Sequence, residues 1–297
     1  MNTHLTPDPW IGHCISIALF TSNKLWRPIL AALAISGGLF AAESKTIALS
    51  PANYNIPLWD EGKVPLATGN GPLDKPFLTV FAPAENKRNG ASVVIAPGGS
   101  DIMLMYGGEG MDIAERYNEW GVTAFILTYR LSPKYKADAR ILDGKRAIQL
   151  VRARAAEWKL DTDKIGYIGF SAGSNMGRSV VAASGPGDTN SPDPIERVSS
   201  RPDYLALVYG PGRATPSEQL KDFPPTFLLS AALDRGPALG NAQLFMDLVK
   251  AGATAEIHVY QKGRHGFGSG FASSNFSDWM PRLEHFLQQD GFIPGGK

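Results

Sequence analysis

Short apolar runs alternate with longer amphipathic segments along the chain from residue 77 to the C-terminus. The apolar runs have the length and the β-branched and aromatic content of buried strands, whereas the longer segments repeat apolar residues at helical spacing. Strands are predicted over 77–83, 91–97, 123–131, 164–170, 204–210, 225–232 and 255–261, and helices over 109–121, 137–160, 172–184, 240–252 and 277–291.

The segment 137–160 shows the helical periodicity on one face. The residues on that face are Gly144, Ile148, Val151, Ala155 and Trp158. In the last predicted helix, Ser277 is expected to be the N-cap. Continuous apolar strands separated by helices predict an α/β fold, with a mostly parallel central sheet and helices on both faces. Ligands bind beyond the carboxyl ends of the strands in such sheets, so functional side chains are expected in the loops that follow the strands.

Residues 1–42 have the features of a signal peptide, and residues 43–297 are expected to form one domain. Lys24 and Arg27 precede an apolar stretch that ends in small residues, which is the order of regions in a secretory signal. The stretch is shorter than the ~20 apolar residues of a membrane-spanning helix, so no stable membrane span is expected. An uncleaved membrane anchor is the alternative.

Composition narrows the function further. The formal net charge of +1 gives no electrostatic reason to expect a nucleic-acid partner. The single cysteine, Cys14, lies in the signal segment, which argues against a disulfide framework or a cysteine–metal cluster in the domain. The sequence carries no metal-binding motif such as His-Glu-x-x-His, and neither a metal nor a cofactor is expected. The sequence does not indicate an oligomeric state.

Ser171 lies in a Gly-x-Ser-x-Gly motif between a predicted strand and a predicted helix. A strand, a sharp turn and a helix form the context in which such a serine is an exposed nucleophile. The flanking Gly169 and Gly173 leave room beside a strained turn. A glycine-rich turn that merely contains a serine is the alternative.

A serine nucleophile needs a base and a group that orients the base. His265 follows the last predicted strand in a glycine-rich loop, whereas His258 and His285 lie within predicted elements. Asp234 follows the preceding strand and is the expected acid. The alternatives are a surface-loop histidine and a helix-capping aspartate.

Backbone N–H groups are expected to form an oxyanion hole. One donor is Ala172, directly after the nucleophile, and the others are Gly99 and Ser100 in the loop after strand 91–97. An ordinary Gly-Gly turn is the alternative. Apolar residues that follow this loop, Met103, Met105 and Tyr106, are expected to wall an acyl pocket, and Phe276 and Trp279 to offer a flat surface for a sugar ring. Plain packing is the alternative for all of these apolar side chains.

Several segments together resemble the bacterial α/β-hydrolases of the feruloyl and acetylxylan esterase type. The segments are IPLWDEG, VVIAPGGS, EGMDIAERYNEWG, FILTYRLSP, GYIGFSAG, VSSRPD and HVYQKGRHGFG, and they lie within residues 56–290. The chain order Ser171, Asp234, His265 is also that of the α/β-hydrolases. The resemblance implies a secreted or periplasmic serine esterase, without a cofactor, that acts on a small ester or an acylated polysaccharide.

The chain departs from the pattern of that family at a few positions. Ser100 and Asp101 stand where the family usually continues with Gly-Tyr, and Ser174 and Asn175 follow the motif where another glycine is usual. These departures leave the acyl group and the glycan undecided. A serine peptidase of the prolyl-oligopeptidase type and a catalytically inactive hydrolase fold that only binds ligands are the alternative functions.

We predict that the signal segment is removed on export, near Ala41–Ala42. The charged residues followed by a short apolar run are the physical reason. N-terminal sequencing of the protein from its native envelope or culture medium should find a mature N-terminus close to residue 43. A cytosolic protein with an intact N-terminus would contradict the prediction.

Overall fold

The computed structural model describes residues 53–210, 217–270 and 275–295. The predicted signal peptide therefore lies outside the described residues, and the domain boundary at residue 43 stays a prediction. Within the described ranges, none of the helices is both long enough and apolar enough to cross a membrane.

An eight-stranded sheet organises the domain, with the strand order β1-β2-β4-β3-β5-β6-β7-β8. Strands β3 to β8 pair in parallel, and the antiparallel strands β1 and β2 extend one edge. The predicted α/β fold with a mostly parallel sheet is thus confirmed. The strands are β1 (Asn55–Pro57), β2 (Phe77–Phe81), β3 (Ser92–Ala96), β4 (Thr123–Thr128), β5 (Ile165–Phe170), β6 (Tyr204–Val208), β7 (Thr226–Ala231) and β8 (Ala255–Tyr260).

Helices cover both faces of this sheet, so that two apolar cores form. Alternate side chains of β3 face opposite ways, as the pleat of a strand requires: Val94 packs in one core and Val93 in the other. Val180 of α3 belongs to the first core and Leu283 of α6 to the second. The helices are α1 (Asp112–Glu119), α2 (Ala137–Ala153), α3 (Ala172–Ala182), α4 (Ser217–Leu220), α5 (Arg235–Lys250) and α6 (Trp279–Gln289).

Several helix boundaries differ from the prediction, and three of the differences have a local explanation. The segment predicted as one helix over 137–160 is α-helical only to Ala153, and its last turn is a 3₁₀-helix that ends at Lys159 in the left-handed conformation. Helix α5 begins earlier than expected because a proline is tolerated in the first helical turn. The prediction of Ser277 as N-cap is wrong: the N-cap of α6 is Asp278, whose carboxylate accepts hydrogen bonds from Tyr260 and Arg282 instead of capping the helix.

A fully buried ion pair fixes the loop after β4 to α2. The guanidinium of Arg130 donates from Nη2 to Oδ1 of Asp143 at 2.7 Å, and neither side chain is exposed. The same guanidinium donates to the carbonyl oxygens of Ala139 and Pro65. This one side chain therefore joins the loop after β4, helix α2 and the N-terminal segment of the described domain.

We predict that Asp143→Ala lowers the free energy of unfolding by about 3–5 kcal/mol, because Arg130 would be left as a buried and unpaired charge. Urea unfolding followed by circular dichroism measures the change. Asp60→Ala is the matched control, since Asp60 pairs with Lys63 on the surface and its loss should change stability little. Equal effects of the two substitutions would contradict the prediction.

Candidate active site

Ser171 occupies a strained turn between the buried strand β5 and helix α3. Its backbone dihedrals are φ 49° and ψ −112°, a region that a residue with a side chain rarely adopts. Close backbone contacts explain the flanking glycines. A Cβ atom at Gly173 would overlap the carbonyl oxygen of Ala96 at the end of β3, and one at Gly169 would overlap the carbonyl oxygen of Gly173. The turn therefore holds the serine side chain at the carboxyl end of the sheet.

The structure brings Ser171, His265 and Asp234 together in a hydrogen-bonded row. The Oγ atom of Ser171 lies 2.7 Å from Nε2 of His265, and Nδ1 of His265 lies 2.6 Å from Oδ2 of Asp234. An ionised carboxylate can only accept a hydrogen bond, so Nδ1 carries the proton in this arrangement. The Nε2 atom is then left with a free lone pair that faces the serine hydroxyl, as a general base requires.

Asp234 directly precedes helix α5, at the position of its N-cap. Its side chain nevertheless makes no capping hydrogen bond, and its carboxylate faces His265. The alternative of a helix-capping aspartate therefore does not describe its contacts. His258 lies on β8 with its Nε2 atom 2.6 Å from Glu256, and His285 is exposed on α6. Within the described part of the chain, the hydroxyl of Ser171 is hydrogen-bonded to His265 and to neither of these two histidines.

The loop after β3 lies against Ser171. A Cβ atom at Gly98 would be 2.7 Å from Cβ of Ser171. Two carbonyl oxygens of the loop are used within it, since Gly98 accepts from the N–H of Met105 at 2.9 Å and Gly99 accepts from the N–H of Met103 at 3.1 Å. No described residue accepts a hydrogen bond from the N–H of Gly99 or Ser100. As far as the described residues show, neither N–H group is committed to another acceptor, and their role as oxyanion donors stays a prediction.

The third expected donor, Ala172, is the first residue of α3. The first N–H groups of a helix have no partner within the helix, and the helix dipole makes this end favourable for negative charge.

Gly99 in the loop after β3 has φ 132°, and a Cβ atom there would overlap the backbone of Met103. Only glycine fits this position, so the turn itself requires Gly99.

Sequence reasoning missed a buried carboxylate at this site. Glu109 is 5% exposed, and its Oε2 atom accepts a hydrogen bond from the N–H of Gly98 at 2.6 Å. Burial raises the pKa of the Glu109 carboxyl above its usual value. The sequence shows Glu109 only as the start of an amphipathic helix. In the structure it lies in a π-helical turn, Gly107–Met111, and no local signal announces this turn.

The expected sugar-binding surface is wrong for Phe276 and Trp279. Both side chains are buried, with exposures of 3% and 0%. Phe276 stacks on Phe267 with a centroid distance of 4.1 Å, and Nε1 of Trp279 donates to the carbonyl oxygen of Ser269 at 3.0 Å. The two aromatic residues therefore fix the loop that carries His265 and cannot offer a face to a ligand.

The expected acyl wall is arranged differently for its three residues. Met103 and Met105 are 52% and 50% exposed, so both side chains are accessible beside the loop that contacts Ser171. Tyr106 is half-buried, and its hydroxyl donates to Thr79. Their role in binding an acyl group stays a prediction.

The departure at Asp101 has a structural consequence. Asp101 accepts from Nη2 of Arg140 at 3.1 Å, and its carbonyl oxygen accepts from the N–H of Ser132 at 2.8 Å. These bonds tie the loop after β3 to the loop after β4. No group of three or more His, Cys, Asp or Glu residues arranged to hold a metal ion occurs among the described residues.

Comparison with known proteins places this geometry in a family. The BD-FAE family profile matches residues 78–192. The acetylxylan esterase of Xylanibacter ruminicola is 27% identical over 73% of this chain and 47% of its own length. The endo-1,4-beta-xylanase B of Butyrivibrio fibrisolvens is 25% identical over 74% of this chain and 40% of its own length. The chain thus spans less than half the length of these two relatives.

Solved structures match over nearly their whole length. The acetyl ester-xyloside bifunctional hydrolase from Caldicellulosiruptor lactoaceticus has a TM-score of 0.73 and 31% identity, and the match covers 81% of this chain and 97% of that one. The thermophilic esterase Est2 from Thermogutta terrifontis, at 19% identity and a TM-score of 0.66 over 83% of this chain and 97% of its own, shares the fold. The chain therefore belongs to the esterases of the α/β-hydrolase superfamily, as its resemblance to the feruloyl and acetylxylan esterase type implied.

Proposed function

We propose that this chain is a serine esterase that removes short acyl groups, acetyl in the first place, from a carbohydrate. The observation that carries the proposal is the row of Ser171, His265 and Asp234, with contacts of 2.7 and 2.6 Å. The chain is also similar to an acetylxylan esterase and to a solved acetyl ester-xyloside hydrolase. An inactive fold that only binds ligands would be expected to lack one of these contacts.

In the acylation step, Oγ of Ser171 attacks the carbonyl carbon of the ester while Nε2 of His265 takes its proton. The carboxylate of Asp234 stabilises the imidazolium that forms. The bond between the acyl carbon and the sugar oxygen then breaks. His265 returns the proton to that oxygen, which leaves as a hydroxyl group of the sugar. The acid remains covalently attached to Ser171 as an ester.

The negative charge of each tetrahedral intermediate needs donors that are already in place. In this proposal the N–H groups of Gly99, Ser100 and Ala172 are these donors, which is supported by the contact of the loop after β3 with Ser171. In the second half of the reaction, His265 activates a water molecule that attacks the acyl-enzyme, and the acid leaves. None of these steps calls for a cofactor.

Two exposed apolar side chains in the loop after β3 are evidence for the proposal that the acyl group is small. Met103 and Met105 offer flexible apolar surface there, and both are about half exposed. The absence of Phe276 and Trp279 from the surface removes one argument for a sugar platform, so similarity to the xylan-acting relatives carries the carbohydrate part of the proposal. A secreted or periplasmic location agrees with a glycan substrate and rests on the sequence of residues 1–42.

We predict that Ser171→Ala and His265→Ala each lower kcat for an activated acetyl ester by about 10⁴-fold or more, and that combining them adds little, because triad members act as a unit. Asp234→Asn should fold and bind substrate but turn over slowly. Stopped assays with nitrophenyl acetate measure kcat, and thermal unfolding confirms the fold.

Ser179→Ala and His285→Ala are the matched controls, since Ser179 lies on α3 and His285 on α6, away from the hydrogen-bonded row. Both should keep wild-type activity. A Ser171→Ala variant that retains more than about a tenth of the activity would show that Ser171 is not the nucleophile.

We predict that purified protein releases acetate from acetylated xylan faster than it hydrolyses nitrophenyl esters. Activity should also fall with acyl chain length, because the proposed acyl wall offers the half-exposed side chains of Met103 and Met105 and no enclosed pocket is proposed for a long chain. A panel of acetylated xylan, methyl ferulate, nitrophenyl esters of rising length and peptide amides measures this. Activity restricted to long-chain esters would overturn the substrate class. Cleavage of peptide amides alone would restore the peptidase alternative.

A further inference from the structure

Three buried acids among the described residues have no role in the proposed mechanism, and two of them, Asp74 and Asp143, form ion pairs with Lys134 and Arg130. Glu109 is 5% exposed, and no lysine or arginine among the described residues forms an ion pair with it. Each of its two oxygen atoms instead accepts one hydrogen bond, Oε2 from the N–H of Gly98 and Oε1 from the hydroxyl of Tyr209. These two donors belong to different loops of the active site.

On one side, Glu109 fixes the oxyanion loop. Its bond to the N–H of Gly98 measures 2.6 Å, and the carbonyl oxygen of Gly98 accepts from the N–H of Met105 at 2.9 Å. Both polar groups of Gly98 are thus held. The carbonyl group of Gly98 shares a peptide plane with the N–H of Gly99, so the direction of that N–H is set as well. A residue with a side chain would not fit at position 98, since a Cβ atom there would be 2.9 Å from Oε2 of Glu109.

On the other side, Glu109 reaches the loop that carries His265. The hydroxyl of Tyr209 donates to Oε1 of Glu109 at 2.8 Å and accepts from the N–H of Gly268 at 3.0 Å. The ring of Tyr209 packs against the imidazole of His265 with a centroid distance of 4.9 Å. Tyr209 has φ 37°, a strained conformation for a residue with a side chain, which the surrounding contacts must maintain.

A buried carboxylate that has no lysine or arginine partner among the described residues is an expensive way to stabilise a fold, because an apolar side chain of similar volume would avoid the cost of removing the charge from water. An apolar side chain could not make the two hydrogen bonds that Glu109 accepts from Gly98 and Tyr209. Here they connect the two loops that must lie at fixed positions on either side of Ser171.

We infer that Glu109 is a positioning residue that holds the oxyanion loop through Gly98 and the loop of His265 through Tyr209. The inference rests on the proposed esterase reaction. Glu109 does not contact the substrate in this role. It orients the N–H groups that bind the oxyanion of each tetrahedral intermediate, and it supports the imidazole ring of His265.

Kinetics of Glu109→Ala test the inference. We expect kcat to fall about 100-fold with little change in KM, because a misplaced donor weakens the transition state more than the bound ester. A trifluoromethyl ketone inhibitor adds to the serine and forms an oxyanion, so its affinity should fall by a similar factor. Glu115→Ala, an exposed glutamate on the neighbouring helix α1, is the matched control and should match the wild type in all three values.

Rescue by Glu109→Gln separates positioning from a general loss of stability. The amide oxygen can still accept from the N–H of Gly98, and the hydroxyl of Tyr209 can accept from the amide N–H. We expect kcat within about tenfold of the wild type, since the bond to the oxyanion loop survives. Tyr209→Phe keeps the ring against His265 and should lower kcat less than Glu109→Ala.

A readout that does not need activity completes the test. Hydrogen exchange at the Gly98 amide, followed by NMR, should be faster in Glu109→Ala and protected in Glu109→Gln. Wild-type kcat and inhibitor affinity in a folded Glu109→Ala variant would overturn the inference, whatever its melting temperature. If Glu109→Ala does not fold, Tyr209→Phe decides: a lowered kcat at unchanged KM supports the inference, and an unchanged kcat overturns it. A wild type that hydrolyses no ester would defeat the proposed function, and exchange at Gly98 would then decide whether Glu109 holds the loop.

Discussion

A close approach of three backbone segments determines the geometry of the site. The turn at Ser171, the end of β3 at Ala96 and the loop at Gly98 come so near to one another that Gly98, Gly169 and Gly173 have no room for a Cβ atom. The parallel pairing of β3 with β5 forces this approach, because their carboxyl ends meet at the same edge of the sheet. Ser171 and the backbone of the loop after β3 are thus neighbours because of the strand pairing, before any side chain takes part.

The other loops of the site are fastened by side chains that are themselves buried. Tyr209, Phe276 and Trp279 support the loop of His265 from the core, while Glu109 joins that support to the oxyanion loop. Supports of this kind hold polar groups in a fixed orientation during a reaction. Polar groups that are already oriented toward the developing charge are a large source of transition-state stabilisation in enzymes. The cost is a carboxylate held away from water, and the raised pKa of Glu109 reflects this cost.

The features that depend on local periodicity and on loop position could be predicted from the sequence. Apolar runs identified the strands of the parallel sheet, because a strand buried on both faces has no polar side to interrupt the run. Ser171, Asp234 and His265 could be proposed as partners, since loops that follow parallel strands share one edge. Their roles stay predictions, and their contacts are what the structure adds. The three-residue strand β1 was missed because so short a segment has no detectable period.

The sequence by itself determined the α/β class, the order of the elements and the candidates for nucleophile, base and acid, because each depends on neighbours along the chain. Only the tertiary structure determined which aromatic residues are buried and which loops are bound by the buried carboxylate of Glu109. Phe276 and Trp279 follow the His265 loop in sequence just as surface residues would, but the packing of α6 against the sheet buries them. Glu109 and Tyr209 lie far apart in the chain, and only the folded sheet brings the carboxylate within hydrogen-bonding distance of the hydroxyl.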